Sequence, residues 1–172
     1  MTQASASVSV QIDGAVATLT LNNPERRNAL NMAMWEALKS ELVALDSNDK
    51  VRALVVRGAG DKAFSAGADI KEFAELLEDR ERLDRNNVLV QEAQIALEEF
   101  SKPAIAMIRG ACMGGGCGIA LACDFRIAER DAKMGITPAK LGLLYSVRDT
   151  ERLHRLVGSS ITRQMLFTGQ PL

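Results

Sequence analysis

Two short glycine-rich segments of the chain have the composition of a site built from backbone donors. They span residues 64–70 and 113–117, and in each case small residues follow a buried-strand pattern and precede a helical one. A helix start leaves backbone N–H groups without intrahelical partners, and glycine allows a substrate to approach them closely. Two such donors aimed at one oxygen would form an oxyanion hole. The same glycines also suit tight turns and close helix packing, and the pattern taken alone favours this second interpretation.

Other glycine-dependent sites do not fit these segments. In a G-x-G-x-x-G dinucleotide motif beginning at Gly114, the third glycine would fall on Ile119. In one beginning at Gly116 it would fall on Leu121. No lysine and hydroxyl pair follows the glycines, so a P-loop is excluded as well.

The cysteine and histidine content argues against a metal centre and against a disulfide framework. The three cysteines are Cys112, Cys117 and Cys123, and the single histidine is His154. An odd number of cysteines, in a chain whose first residues 1–9 lack the basic and apolar parts of a signal peptide, indicates reduced thiols in the cytoplasm. One histidine leaves no ligand set for zinc, so we expect no metal site.

Length and charge narrow the remaining classes. The chain has 172 residues, of which 47% are hydrophobic and 25% charged, and its formal net charge is −1. This composition is typical of one globular domain with a buried core. A nearly neutral chain has no general attraction to nucleic acid or to an anionic membrane, so we expect neither as a partner.

Alternating strand and helix patterns predict an α/β fold that positions the two segments. A hairpin is predicted over residues 8–21, buried strands over 51–56 and 103–108, and a third strand over 125–128. Helical stripes are predicted over 35–45, 70–77, 90–100 and 119–122 and from residue 148 onward. Asn31 is the expected N-cap of the first helix. Strands that alternate with helices form sheets with right-handed crossovers, and ligand sites collect where strands run into helix starts.

Four segments taken together resemble the enoyl-CoA hydratase/isomerase (crotonase) superfamily. They are NNPERRNALN at 22–31, AFSAGADIK at 63–71, GACMGGGCG at 110–118 and ACD at 122–124. The resemblance runs from about Val10 to the end of the chain, with the segments in the family's order. It implies a crotonase-like (ClpP/crotonase) α/β fold of repeated ββα units, with residues 1–172 as a single core domain that stops before the family's C-terminal helices. It also implies an acyl-CoA substrate and a homotrimer or hexamer.

The resemblance assigns roles to individual residues. The backbone amides of Ala68 and Gly115 would hold the thioester carbonyl and stabilise its enolate, in agreement with the oxyanion-hole interpretation. CoA enters as the carrier of the substrate, so no separate cofactor is implied. The remaining CoA contacts are expected from Arg26, Ala66, Asp69, Ile70 and Lys71. For Arg26 and Lys71, an ordinary solvated charge is an equally good interpretation.

The chain departs from the family where the hydratases carry two glutamates. Those positions are occupied here by Gly118 and Pro138, neither of which can exchange a proton. Positioned acid and base groups typically contribute about 10²–10⁴-fold each, so we expect decarboxylase- or isomerase-type chemistry rather than hydration. Two alternatives stay open: a non-catalytic acyl-CoA-binding or assembly subunit, and a hydratase that takes an acid from elsewhere.

A second segment favours decarboxylation. Residues 136–145, ITPAKLGLLY, are similar to the matching stretch of methylmalonyl-CoA decarboxylase, although that enzyme has a histidine where this chain has Ala68. Decarboxylation needs no general base to begin, and the Tyr145 hydroxyl would orient the departing carboxylate. Alternatively, Tyr145 simply closes the pocket wall.

The other acids near these motifs are expected to have structural roles. Asp69 would sit at a helix start, and Asp124 would accept backbone N–H groups at a strand entry. Asp149 is expected to be a helix-end charge and Glu72 a surface residue.

Overall fold

The computed structural model describes residues 7–172 of the chain. The predicted absence of a signal peptide concerns residues 1–9, most of which lie outside the described residues. The helices and strands follow in this order: β1 (Ser7–Asp13), β2 (Val16–Asn22), α1 (Met32–Asp46), β3 (Ala53–Gly58), β4 (Ala63–Ser65), α2 (Ile70–Leu77), α3 (Arg80–Glu98), β5 (Ala104–Ile108), β6 (Ala111–Met113), α4 (Gly115–Ala122), β7 (Phe125–Ala128), β8 (Lys133–Gly135) and α5 (Val147–Thr168).

The main sheet has five strands in the order β1-β2-β3-β5-β7. β1 and β2 form the predicted antiparallel hairpin, closed by the pair Asp13 and Val16. The other neighbours run parallel, as strands joined by helical crossovers do. Alternate side chains of β2 (Ala17, Leu19 and Leu21) are fully buried, because successive residues of a strand face opposite sides of the sheet.

Helix α1 begins and packs as its sequence predicts. The side chain of Asn31 caps it by accepting a hydrogen bond from the amide of Met34 at 2.9 Å. Its apolar stripe is buried against the sheet: Trp35, Leu38, Leu42 and Leu45.

A second sheet, not predicted from the sequence, lies beside the first. It consists of β4, β6 and β8, all parallel, and each strand has only three residues. Such short strands carry too few side chains for an alternating pattern to be recognised. This small sheet pairs Ser65 with Cys112 and so brings the two glycine-rich segments side by side.

The α/β architecture is confirmed, with shifted boundaries. The strand predicted over 51–56 begins at Ala53, and the helix predicted from Ile119 already begins at Gly115. That earlier start places the second glycine-rich segment inside the first turn of α4. Within residues 7–172, no helix has both the length and the apolar composition needed to cross a bilayer.

Candidate functional site

A cavity of about 390 Å³ opens where the two glycine-rich junctions meet the start of α5. Backbone junctions line one side, and helices α3 and α5 line the other. The residues at its surface are Leu30, Trp35, Ala68, Asp69, Glu72, Phe73, Leu76, Asn86, Asn87, Val90, Gln91, Gln94, Gly115, Leu144, Tyr145, Ser146 and Asp149.

The two junctions touch each other through their backbones. A Cβ atom built on Gly67 would lie 3.0 Å from the carbonyl oxygen of Met113 and 3.6 Å from the Cα of Gly114. Gly67 also has a φ of +94°, a conformation that L side chains rarely adopt. Glycine is therefore required here, both by the conformation and by the close approach of the second junction.

The amide of Ala68 lies between two backbone groups that are already paired. Leu30 donates to the carbonyl of Gly67 and accepts from the amide of Asp69, at 2.8 and 2.9 Å. Within residues 7–172 the Ala68 N–H itself donates to no other group. It remains available at the cavity surface.

The amide of Gly115 is the other free donor. Gly115 is the first residue of α4, so its N–H has no intrahelical acceptor, and it donates to no other group in the described part of the chain. The partial positive charge of a helix N-terminus adds to the attraction for an oxygen with developing negative charge. The structure thus brings both predicted amides, Ala68 and Gly115, to one cavity.

Asp69 is held in place at the start of α2. Its side chain accepts hydrogen bonds from the amides of Lys71 and Glu72 and pairs with Arg26. Burial acts to raise the pKa of Asp69, but the hydrogen bonds from Arg26 and the two amides outweigh it and leave that pKa below its ordinary value. The expected position of Asp69 at a helix start is confirmed, and Arg26 holds its carboxylate in place there.

The remaining predicted CoA contacts lie outside the cavity lining. Ala66, Ile70 and Lys71 are exposed on the α2 side of the site, and the Ile70 side chain is 77% accessible. The Arg26 side chain is half exposed while it pairs with Asp69. Of the predicted site residues, four line the cavity: Ala68, Asp69, Gly115 and Tyr145.

The opposite wall contains a buried polar network that the sequence did not reveal. Gln94, Asp149 and Arg152 are 2%, 4% and 4% exposed. Arg152 donates to Asp149 at 2.7 Å, to the side-chain oxygen of Gln94 at 3.0 Å and to Glu98 at 2.6 Å. Asp149 also accepts from the hydroxyl of Ser146 at 2.8 Å. These residues belong to α3 and α5, far apart in the chain, and only the fold brings them together.

Gly118 lies directly beneath this network. A Cβ atom built on it would lie 2.4 Å from Nε2 of Gln94 and 3.4 Å from Oδ1 of Asp149. The amide of Gln94 therefore occupies the space that a side chain at position 118 would take. Pro138 lies in a short 3₁₀ turn, Pro138–Leu141, and does not line the cavity.

Tyr145 lines the cavity with its hydroxyl buried. Its Oη has no hydrogen-bond partner within residues 7–172. Burial, together with the nearby Asp149 and Cys117, raises the pKa of Tyr145 well above its ordinary value. The hydroxyl therefore stays protonated near neutral pH and acts as a donor.

Of the other acids expected to have structural roles, one lies as predicted and two line the cavity. Asp124 does accept the amide of Ala104, at 2.8 Å, as predicted for a strand entry. Glu72, expected on the surface, is half-buried, accepts the amide of Met32 and lines the cavity. Asp149 lies in the first turn of α5, as expected, but it is buried and lines the cavity, since Arg152 of α5 ties this turn to Gln94 and Glu98 of α3.

The cysteines are buried, as their small-residue surroundings predict. The hydrogen bond between Cys112 and Cys117, together with burial, raises the pKa of Cys112, and burial raises that of Cys123 to about 12. Such thiols remain protonated and unreactive near neutral pH. Residues 7–172 contain no cluster of side chains suited to a metal ion.

The fold and the paired junctions define an α/β protein with a backbone-donor site, and comparison with known proteins identifies its family. The model of the enoyl-CoA hydratase/isomerase family matches residues 11–172. The short-chain-enoyl-CoA hydratase of Clostridium acetobutylicum is 37% identical over 166 residues, which are 95% of this chain and 62% of that protein. A probable enoyl-CoA hydratase of Bacillus subtilis is 39% identical, with 96% and 63% covered.

Solved structures agree with the family match. The crystal structure of a putative enoyl-CoA hydratase/isomerase family protein from Hyphomonas neptunium superposes with a TM-score of 0.92 at 40% identity, covering 96% of this chain and 63% of that one. The chain belongs to the enoyl-CoA hydratase/isomerase family, so the resemblance and the crotonase-like fold are confirmed. It spans slightly less than two thirds of the length of these relatives. The likeness of residues 136–145 to methylmalonyl-CoA decarboxylase stays a prediction.

Proposed function

We propose that this chain binds an acyl-CoA thioester and stabilises its enolate with the amides of Ala68 and Gly115. The observation that carries the proposal is that both N–H groups lack partners within residues 7–172 and that both residues line one cavity. An enolate places negative charge on the former carbonyl oxygen. Removing one donor from an oxyanion hole typically costs about 2.7–4 kcal/mol of transition-state stabilisation.

The exposed surface beside the hole suits the carrier. Arg26, Ala66 and Lys71 lie just outside the cavity lining, next to Asp69. These two cations and the exposed Ala66 are compatible with the phosphates and the extended arm of CoA. These contacts extend the proposal from the reacting carbonyl to the rest of the thioester.

We further propose that the reaction is of decarboxylase or isomerase type. At the two positions where the family's hydratases carry glutamates, the space beside Gly118 is filled by the neutral amide of Gln94, and Pro138 stays outside the cavity. Loss of a carboxylate can begin without a base, and the hydroxyl of Tyr145, protonated near neutral pH, would orient it.

Hydration is a second candidate, favoured by a specific observation. Several relatives are named hydratases, and Asp149 supplies a carboxylate at the cavity surface. An acid from α5 would then act on the same enolate. A binding subunit without activity is the third alternative, and the same experiment separates all three.

The experiment incubates the natural full-length protein with crotonyl-CoA and methylmalonyl-CoA and follows the thioesters by mass spectrometry. Loss of carbon dioxide supports decarboxylation, a product of unchanged mass but different chromatographic retention supports isomerisation, and gain of water indicates hydration. The matched variant Tyr145→Phe removes one hydroxyl: lost turnover with intact thioester binding supports its orienting role. Binding without turnover in both forms indicates a binding subunit, and no binding of either thioester overturns the proposal.

A further inference from the structure

Gln94 presents a side chain of fixed orientation to the cavity. It belongs to α3, is buried, and its amide oxygen accepts a hydrogen bond from Arg152 at 3.0 Å. Arg152 is itself held by Asp149 and Glu98. Because the oxygen faces the guanidinium, the amide nitrogen must point away from it.

That nitrogen has no acceptor. Among residues 7–172, neither Nε2 of Gln94 nor Oη of Tyr145 has a hydrogen-bond partner, although both atoms are buried. Both residues line the cavity that contains the Ala68 and Gly115 amides. Buried donors without acceptors destabilise a protein, and their presence at a binding cavity indicates an acceptor on the ligand.

The position of the amide depends on Gly118. Any side chain at this position would begin 2.4 Å from Nε2 of Gln94, well inside van der Waals contact. Gly118 and Gln94 therefore form a matched pair, in which the missing side chain of one makes room for the amide of the other. The result is a neutral, buried donor between α4 and the cavity, on a residue that lines the cavity.

The neighbouring charges do not block an acceptor. Both oxygens of Asp149 are engaged, one by Arg152 and one by Ser146. The ion pair with Arg152 offsets the negative charge, so the donors of Gln94 and Tyr145 lie near a carboxylate whose charge is already compensated.

We propose that Gln94 determines acyl-group specificity by donating, together with Tyr145, to an oxygen on the acyl group. This inference rests on the proposed function, since it assumes that a thioester occupies the cavity. Two kinds of oxygen on the acyl group could accept these hydrogen bonds: that of a carboxylate, or a neutral hydroxyl or keto oxygen close to the thioester. Acyl groups without such an oxygen leave both buried donors unpaired and bind less tightly.

Two matched ligand pairs test the inference on the natural full-length protein by stopped-flow measurement of binding and release, on a timescale shorter than turnover, because decarboxylation would convert methylmalonyl-CoA into its comparison ligand. Methylmalonyl-CoA differs from propionyl-CoA by one carboxylate, and 3-hydroxybutyryl-CoA differs from butyryl-CoA by one hydroxyl. We expect the oxygen-bearing member of at least one pair to bind about tenfold or more tightly, since a site built to donate rejects the analogue that lacks the acceptor. The pair in which this difference is found shows whether the acceptor is a carboxylate or a hydroxyl oxygen.

Substitutions assign that preference to the residue. In Gln94→Leu the difference within the preferred pair should fall to about twofold or less, whereas Gln164→Leu, at an exposed glutamine of α5, should keep it. If Gln94→Leu does not fold, Gln94→Met retains the length of the side chain, and Tyr145→Phe tests the second donor.

Three results overturn the inference. If the unsubstituted protein binds the two members of each pair with equal affinity, the site has no preference for an acyl-group oxygen. A preference retained in Gln94→Leu or Gln94→Met removes the role of Gln94. Failure of all four thioesters to bind overturns the proposed function as well, and so differs from the first two results.

Discussion

One wall of the cavity offers backbone amides, at Ala68 and Gly115, whereas the opposite wall offers side chains that pair with one another, above all Gln94, Asp149 and Arg152. The backbone wall is fixed by close contact between glycine turns, so its donors need no side chain to orient them. The side-chain wall depends on Arg152 of α5, which pairs with Asp149 of the same helix and with Glu98 of α3. The first wall therefore depends on the absence of side chains at its glycines, whereas the second depends on the chemistry of the side chains it contains.

Removing a donor from the backbone wall should have the largest effect. Gly115→Pro deletes one N–H at the first position of α4, where proline is well accepted, and should lower kcat/KM by about 10²–10³-fold. Gly115→Ala is the matched control, because it keeps the N–H while its Cβ, like that of proline, lies about 3.0 Å from Cζ2 of Trp35. Equal losses in the two variants would show that crowding, not the donor, matters.

Breaking the side-chain wall should act mainly on stability. Asp149→Ala leaves Arg152 buried with fewer partners and should lower the free energy of unfolding by about 3–5 kcal/mol. The control is Glu151→Gln, which removes the exposed partner of Arg155 and should leave the free energy of unfolding unchanged. Urea unfolding measures both, and similar values for the two variants would contradict the account of this wall.

The packing of the two glycine junctions can be tested separately. Gly67→Ala combines an unfavourable φ with a contact 3.0 Å from the carbonyl oxygen of Met113, and should destabilise the protein by about 2–4 kcal/mol. At Gly14, with a φ of +57° and no atom within 4 Å of a built Cβ, alanine brings only the conformational cost, about 1–2 kcal/mol. Thermal unfolding of both variants measures how much more Gly67→Ala destabilises the protein than Gly14→Ala does. Equal destabilisation would show that the two junctions are not held in close contact.

The smallest predicted effect concerns pH. The hydrogen bond from Arg152 outweighs burial and lowers the pKa of Glu98 from its ordinary value of 4.5. Since the folded pKa is the lower one, this stabilisation is fully present above about pH 4.5 and is lost as the pH falls through the folded pKa. The stability difference between the unsubstituted protein and Glu98→Gln should therefore shrink below pH 4.5, as followed by urea unfolding. A difference that stays constant or widens in acid would exclude this contribution.

The backbone wall was predictable from the sequence because its determinants are local. Glycines after a strand pattern and before a helical one are compatible with free amides, although the pattern alone favoured tight turns, and the resemblance to the family assigned the amides to Ala68 and Gly115. The small sheet that joins the two segments escaped prediction, since β4, β6 and β8 have three residues each. The local geometry was thus predicted without the element that aligns it.

The side-chain wall could not be predicted, because its residues are far apart in the chain. Gln94 and Arg152 are separated by 58 positions and meet only when α5 packs near α3. The sequence did single out Gly118 and Tyr145, but nothing local connects either residue with Gln94. Asp149 was expected to be a helix-end charge, and its burial follows from tertiary packing alone.

The central claim is that the amides of Ala68 and Gly115 polarise a thioester carbonyl. Infrared difference spectroscopy of a bound acyl-CoA with a ¹³C-labelled thioester carbonyl measures this polarisation directly. We expect the carbonyl band to shift to lower frequency on binding, to keep that shift in Gly115→Ala and to lose most of it in Gly115→Pro. A bound thioester whose carbonyl band stays at its frequency in water would contradict the claim.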